Sequence, residues 1–151
     1  MSYLTAWPSR DVVLAGHQQV TREWWESCRD RFEMLASELV VQEASAGDEK
    51  AAENRLAVLD ALTLLAASSD AVRLAARLVE SRAIPQEAVE DALHLAIATV
   101  NGVEYLVTWN CRHLANATMR TRIETAIRAA GYEPPIICTP EELLEIDPDV
   151  R

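Results

Sequence analysis

The chain has 151 residues, half of them hydrophobic, and a net charge of −10 at pH 7. This length fits one domain with a buried core, and the acidic balance argues against broad electrostatic attraction to nucleic acid. No apolar run approaches the roughly 18 residues of a membrane span, and the opening Met1-Ser2-Tyr3-Leu4-Thr5 lacks the basic and apolar regions of a secretory leader.

The predicted elements alternate helices with short apolar runs. A helix is predicted from Asp11 to about Arg29, with Val12, Ala15, Val20 and Trp24 as its apolar contacts. Met34-Leu35-Ala36 reads as a short strand, and Leu39-Val40-Val41 enters a short helix. Glu49 to Leu62 carries Ala52, Leu56, Leu59 and Leu62 at helical spacing, Leu64-Leu65-Ala66 is a candidate strand, and 71–81 is again helical. Pro85 suits a first helical position, so a helix is predicted from there to about Asn101, capped by Gly102 in the left-handed conformation. Between Ala92 and Val100 only His94 and Thr99 are polar, which predicts a largely buried helix. Tyr105–Trp109 reads as a buried strand, Thr118–Ala130 as a helix closed by Gly131, and Ile136-Ile137-Cys138 as a last strand. Thr139-Pro140-Glu141-Glu142 is a capping box that opens a short terminal helix. Strands separated by helices need crossover connections, which predicts an α/β fold with a parallel sheet between two helical layers and a site at the carboxyl ends of the strands.

Cys28, Cys111 and Cys138 are far apart and form no Cys-x-x-Cys pair, so reduced thiols in a cytoplasmic protein are expected. His17, His94 and His113 do not pair with them at zinc-ligand spacing. Only four glycines occur, at 16, 47, 102 and 131, so glycine-rich phosphate loops are excluded. No Gly-x-Ser-x-Gly elbow is present.

Asp91 opens a helix that is otherwise nearly all apolar. It is either a carboxylate entering the core, which needs a partner or a metal, or a first-turn acid favoured by the helix dipole alongside Glu87 and Glu90. Thr108-Trp109-Asn110 stands at the carboxyl end of a strand, where Asn110 serves either a site or a turn. Glu43, following the strand at 34–36, is either a site acid or a solvated helix carboxylate. Arg112, Arg120, Arg122 and Arg128, opposed by Glu124 alone, form either an ordinary solvated face or a local phosphate-contacting patch.

Taken together, these segments resemble the PIN-domain ribonucleases of the VapC-like toxin type. The resemblance runs over nearly the whole chain and rests on Glu90-Asp91-Ala92-Leu93-His94-Leu95-Ala96 and on Tyr105-Leu106-Val107-Thr108-Trp109-Asn110-Cys111-Arg112-His113-Leu114-Ala115-Asn116. Ser37-Glu38-Leu39-Val40-Val41-Gln42-Glu43 and the ending from Gly131 to Leu143 add to it. It implies a three-layer α/β/α fold and metal-dependent hydrolysis of RNA phosphodiesters. Glu43, Asp91 and Asn110 would hold Mg2+ or Mn2+, Thr108 would assist, and Arg112, His113 and Asn116 would contact RNA. A small antitoxin protein is the implied partner; apart from the resemblance, the apolar excess in the helices at 11–29 and 71–81, including Trp24 and Trp25, predicts a homodimer.

Two departures qualify these expectations. Met1-Ser2-Tyr3-Leu4-Thr5-Ala6 is similar to the sequence just after the family's first strand, so the single domain 1–151 is expected to be truncated at its N-terminus and to lack the first acid. Asn110 also stands where the family often has an acid. With Glu43 and Asp91 as the charged ligands, weak Mg2+ binding and impaired cleavage are expected. The alternative from a different class is a catalytically inactive PIN-like protein-interaction module. A flavodoxin-like or receiver-type reading ranks third, because paired acids after a first strand are missing.

Overall fold

The computed structural model describes residues 1–144. The chain is α/β and divides into two compact units, one formed by Met1–Leu64 with the segment from Pro140, the other by Leu65–Thr139.

The first unit opens with α1 (Ser2–Thr5), a single turn that lacks helical periodicity and was not expected from the sequence. Helix α2 (Val12–Cys28) starts where Asp11 accepts a hydrogen bond from the Leu14 N–H at 2.9 Å. Strand β1 (Leu35–Ser37) runs straight into α3 (Glu38–Ser45), whose N-terminus is capped by the Ser37 hydroxyl. Helix α4 (Glu49–Leu59) is capped by Asp48 and stops short of the expected Leu62, turning through Asp60 into β2 (Thr63–Leu65), which pairs with β1. Helix α8 (Pro140–Leu144) packs against α2. The core around β1 is thin: Ala36, Ala44 and Leu59 are buried, and Met1, Val40, Val41, Leu56 and Leu62 only partly cover them.

The second unit is built around α5 (Ser69–Glu80) and α6 (Val89–Val100), which pack on each other. Ser68 caps α5, and Ala71, Leu74, Ala75 and Leu78 bury one face at the i, i+3, i+4, i+7 spacing of an amphipathic helix. Pro85 opens a 3-10 turn (Gln86–Ala88) rather than the α-helix itself, so α6 begins at Val89. As its composition predicts, α6 is nearly engulfed: Ala92, Leu95 and Ala96 expose nothing, and Thr99 donates to the Leu95 carbonyl at 2.7 Å. Burial of each large aliphatic side chain here stabilises the fold by about 1.5–3 kcal/mol. Gly102 (φ 68°) closes the helix as expected, its N–H bonding to Thr99 and that of Val103 to Ala98. Strand β3 (Tyr105–Val107) pairs in parallel with β4 (Ile136–Cys138), with Leu106 opposite Ile137, and α7 (Ala117–Ala129) lies between them in sequence.

The sheet departs from expectation. Among the described residues the four strands form two separate pairs, β1 with β2 and β3 with β4, rather than one continuous ladder. Each strand is only three residues long. The apolar run expected to 109 ends at Val107, where the Thr108 hydroxyl accepts the Asn110 N–H at 3.0 Å and starts a turn.

Candidate functional site

The second unit gathers its chemistry where α6 begins and β3 ends. Asp91 lies in the first turn of α6, with its backbone fixed by the packed helix behind it and its side chain 23% exposed. The turn after β3 is held by Asn110. Its side-chain oxygen accepts the His113 N–H at 3.0 Å, and its carbonyl accepts from Leu114 and Ala115. Thr108 fixes Asn110 in turn, so a chain of local bonds runs from the strand end to His113. That chain delivers the imidazole to Asp91: His113 Nδ1 lies 2.8 Å from Asp91 Oδ2.

The pairing sets the chemistry available. An ionised carboxylate only accepts, so the Nδ1 of His113 must carry the proton and donate it to Asp91. In the neutral ring the Nε2 is then left as an acceptor. Asp91 keeps Oδ1 without a partner among the described residues. A single hard oxygen of this kind suits Mg2+, which retains several waters and completes its sphere with one or two carboxylates and substrate phosphate. Among the described residues, no group of three or more His, Cys, Asp or Glu is arranged to hold a metal.

The expected site residues are thus distributed as follows. Thr108, Asn110, His113 and Asp91 are brought together. Asn110 serves the turn through its Oδ1, the same atom that ligation would use, accepting the His113 N–H with one of its two lone pairs. Asn116 caps α7, its Oδ1 accepting from the Thr118 N–H at 3.0 Å and from the Thr118 hydroxyl at 2.7 Å. Arg112 is exposed. Glu43 belongs to the first unit, on the exposed side of α3, where its charge raises the pKa of the Met1 amino group against a larger lowering by burial. Among the described residues Cys111, exposed on the same turn as His113, is outside any disulfide, as are the buried Cys28 and Cys138. Sequence reading grouped His113 with substrate contacts and missed its pairing with Asp91, since residues 22 apart carry no periodic signal of contact.

No helix among the described residues is long and apolar enough to cross a membrane. No family model, curated protein or solved structure matches the chain.

Proposed function

We propose that this chain is a PIN-like, metal-dependent ribonuclease of the toxin type, built on a three-layer α/β/α plan and acting on RNA phosphodiesters. One observation carries the reading: the Asp91–His113 pair stands where a parallel strand ends and a buried helix begins, the edge at which α/β folds assemble their sites. Asp91 is the principal acid, and Glu43 is the second acid by resemblance. Mg2+ or Mn2+, when bound, neutralises charge on the phosphate and acidifies a water. The chain's own residues orient: His113 fixes the carboxylate, Asn110 and Thr108 fix His113, and exposed Arg112 meets the phosphate backbone. Mn2+ is preferred, because Mg2+ demands the stricter octahedron. An antitoxin-type inhibitor and a homodimer belong to the same reading. In the first unit the exposed Val12 and Val13 on α2 are apolar surface in support of the homodimer, as is, separately, the exposed Val72 on α5 of the second.

A second reading, an interaction module without activity, is favoured by the commitment of Asp91 Oδ2 to His113. Cleavage of single-stranded RNA in the presence of Mn2+ separates the two. The ribonuclease reading expects slow, impaired cleavage that EDTA stops, that Asp91→Asn reduces to background, and that His113→Ala slows by a further factor of about 10–100, the usual cost of removing a ligand's hydrogen-bond partner. Cleavage unaffected by EDTA, an unchanged rate in Asp91→Asn, or no cleavage at all would overturn it in favour of the interaction module.

A further inference from the structure

A second surface of the Leu65–Thr139 unit has no role in the site above. An open cavity of about 590 Å3 lies beside the last turn of α5 and the first turns of α7. Its floor is apolar, formed by Val79, Ile84, Pro85 and Met119, and Arg82 and Arg122 stand at its edge. A neighbouring cavity of about 400 Å3 shares Glu80 with the first and continues along α7 past Ala126, Ala129 and Ala130, with Arg77 beside it. From Met119 to Ala130 the wall contributed by α7 is about 16 Å long at 1.5 Å per residue.

The charges at this groove are unusual within their own helices. Arg73 pairs with Asp70, and Arg128 pairs with Glu124 and Glu133. Arg77, Arg82 and Arg122 make no ion pair among the described residues, and Glu80 neutralises none of them. Three unpaired guanidiniums therefore gather around one carboxylate on a chain whose net charge is −10. Arg82 is also held at φ 58°, whereas the other left-handed positions, 47, 102 and 131, are glycines. Glycine would close this helix end with less strain.

We propose that this groove docks an acidic amphipathic segment of a protein partner, with apolar side chains on the floor and carboxylates against Arg77, Arg82 and Arg122. The lining favours peptide over nucleic acid. Single-stranded RNA is gripped by stacking bases on aromatic rings, and no aromatic residue lines either cavity. Methionine and aliphatic side chains suit the apolar face of a helix, and the guanidinium fork suits carboxylates. The inference does not depend on the ribonuclease reading.

The test is fluorescence anisotropy with the full chain and three labelled probes: a short peptide with leucines on one helical face and glutamates on the other, the same peptide with lysines in place of the glutamates, and oligouridine. The acidic peptide should bind best, and its affinity should fall as salt rises. The double variant Arg82→Gly, Arg122→Ala should weaken it by about tenfold or more. Its thermal midpoint should not drop, because Arg82→Gly relieves backbone strain, and this separates lost charge from lost fold. Absence of acidic-peptide binding, equal binding of the lysine peptide or oligouridine, or unchanged affinity in the double variant would overturn the proposal.

Discussion

The two units bury different kinds of side chain, and the difference explains why their acids are held differently. In the Leu65–Thr139 unit the deepest positions belong to Leu74, Leu78, Ile84, Leu95, Ile97, Ile123 and Ile127, all large aliphatics with almost no exposure. In the other unit Cys28 and Leu143 reach that depth, while the cluster under β1 rests on two alanines and Leu59 ringed by half-covered neighbours. Close-packed interiors hold attached groups in one position. Asp91 rides on the better packed unit and is further fixed by His113. Glu43 projects from α3, where only Ala44 is buried.

Core truncation tests this contrast with the largest expected effect. Leu95→Ala should cost about 2–5 kcal/mol by opening a cavity in a packed layer, whereas Leu56→Ala, at a half-covered position, should cost about 1 kcal/mol or less. Urea unfolding of the two variants checks this. Equal losses would show that the two cores are equivalent and that the contrast in packing has no energetic meaning.

A smaller effect probes the neighbourhood of Glu43. Burial lowers the pKa of the Met1 amino group from its ordinary 8.0, with Glu43 opposing the shift and Arg55 adding to it. A folded-state pKa below the unfolded one means that the unfolded chain binds more protons between the two values. The amine's contribution to stability is therefore present above pH 8.0 and is lost as pH falls through the folded value. Glu43→Gln removes the opposing charge, so the amine's pKa should fall further and the loss should shift to lower pH. Amine titration followed by NMR checks this; a rise or no change would contradict the placement of Glu43's charge beside the amine.

Much of the helical layout was legible in the sequence because its signals are local. The apolar block 92–100 announced a buried helix and Gly102 its end. The sheet was less legible, because a three-residue strand has hardly more than one period of alternation. Ser2–Thr5 was missed for the same reason, being a single turn without a repeating face. Trp24, expected among the apolar contacts of its helix, is buried, and Trp25 meets it edge-on with ring centroids 6.2 Å apart. At the candidate site Asp91 and Asn110 could be singled out by position along the chain. Their actual relation passes through His113, with one contact to its ring and one to its backbone, and only the folded turn brings these atoms together.

Asp91, held by His113, is the proposed point at which a divalent ion meets this chain. Titrating the isotope-labelled chain with Mn2+ and following paramagnetic broadening of its amide signals tests that claim without requiring catalysis. The expected result is early broadening at Asp91, Ala92, Asn110 and His113, abolished in Asp91→Asn while the rest of the spectrum keeps its native dispersion. Broadening that begins at other carboxylates and leaves these residues sharp, or that persists unchanged in Asp91→Asn, would contradict it.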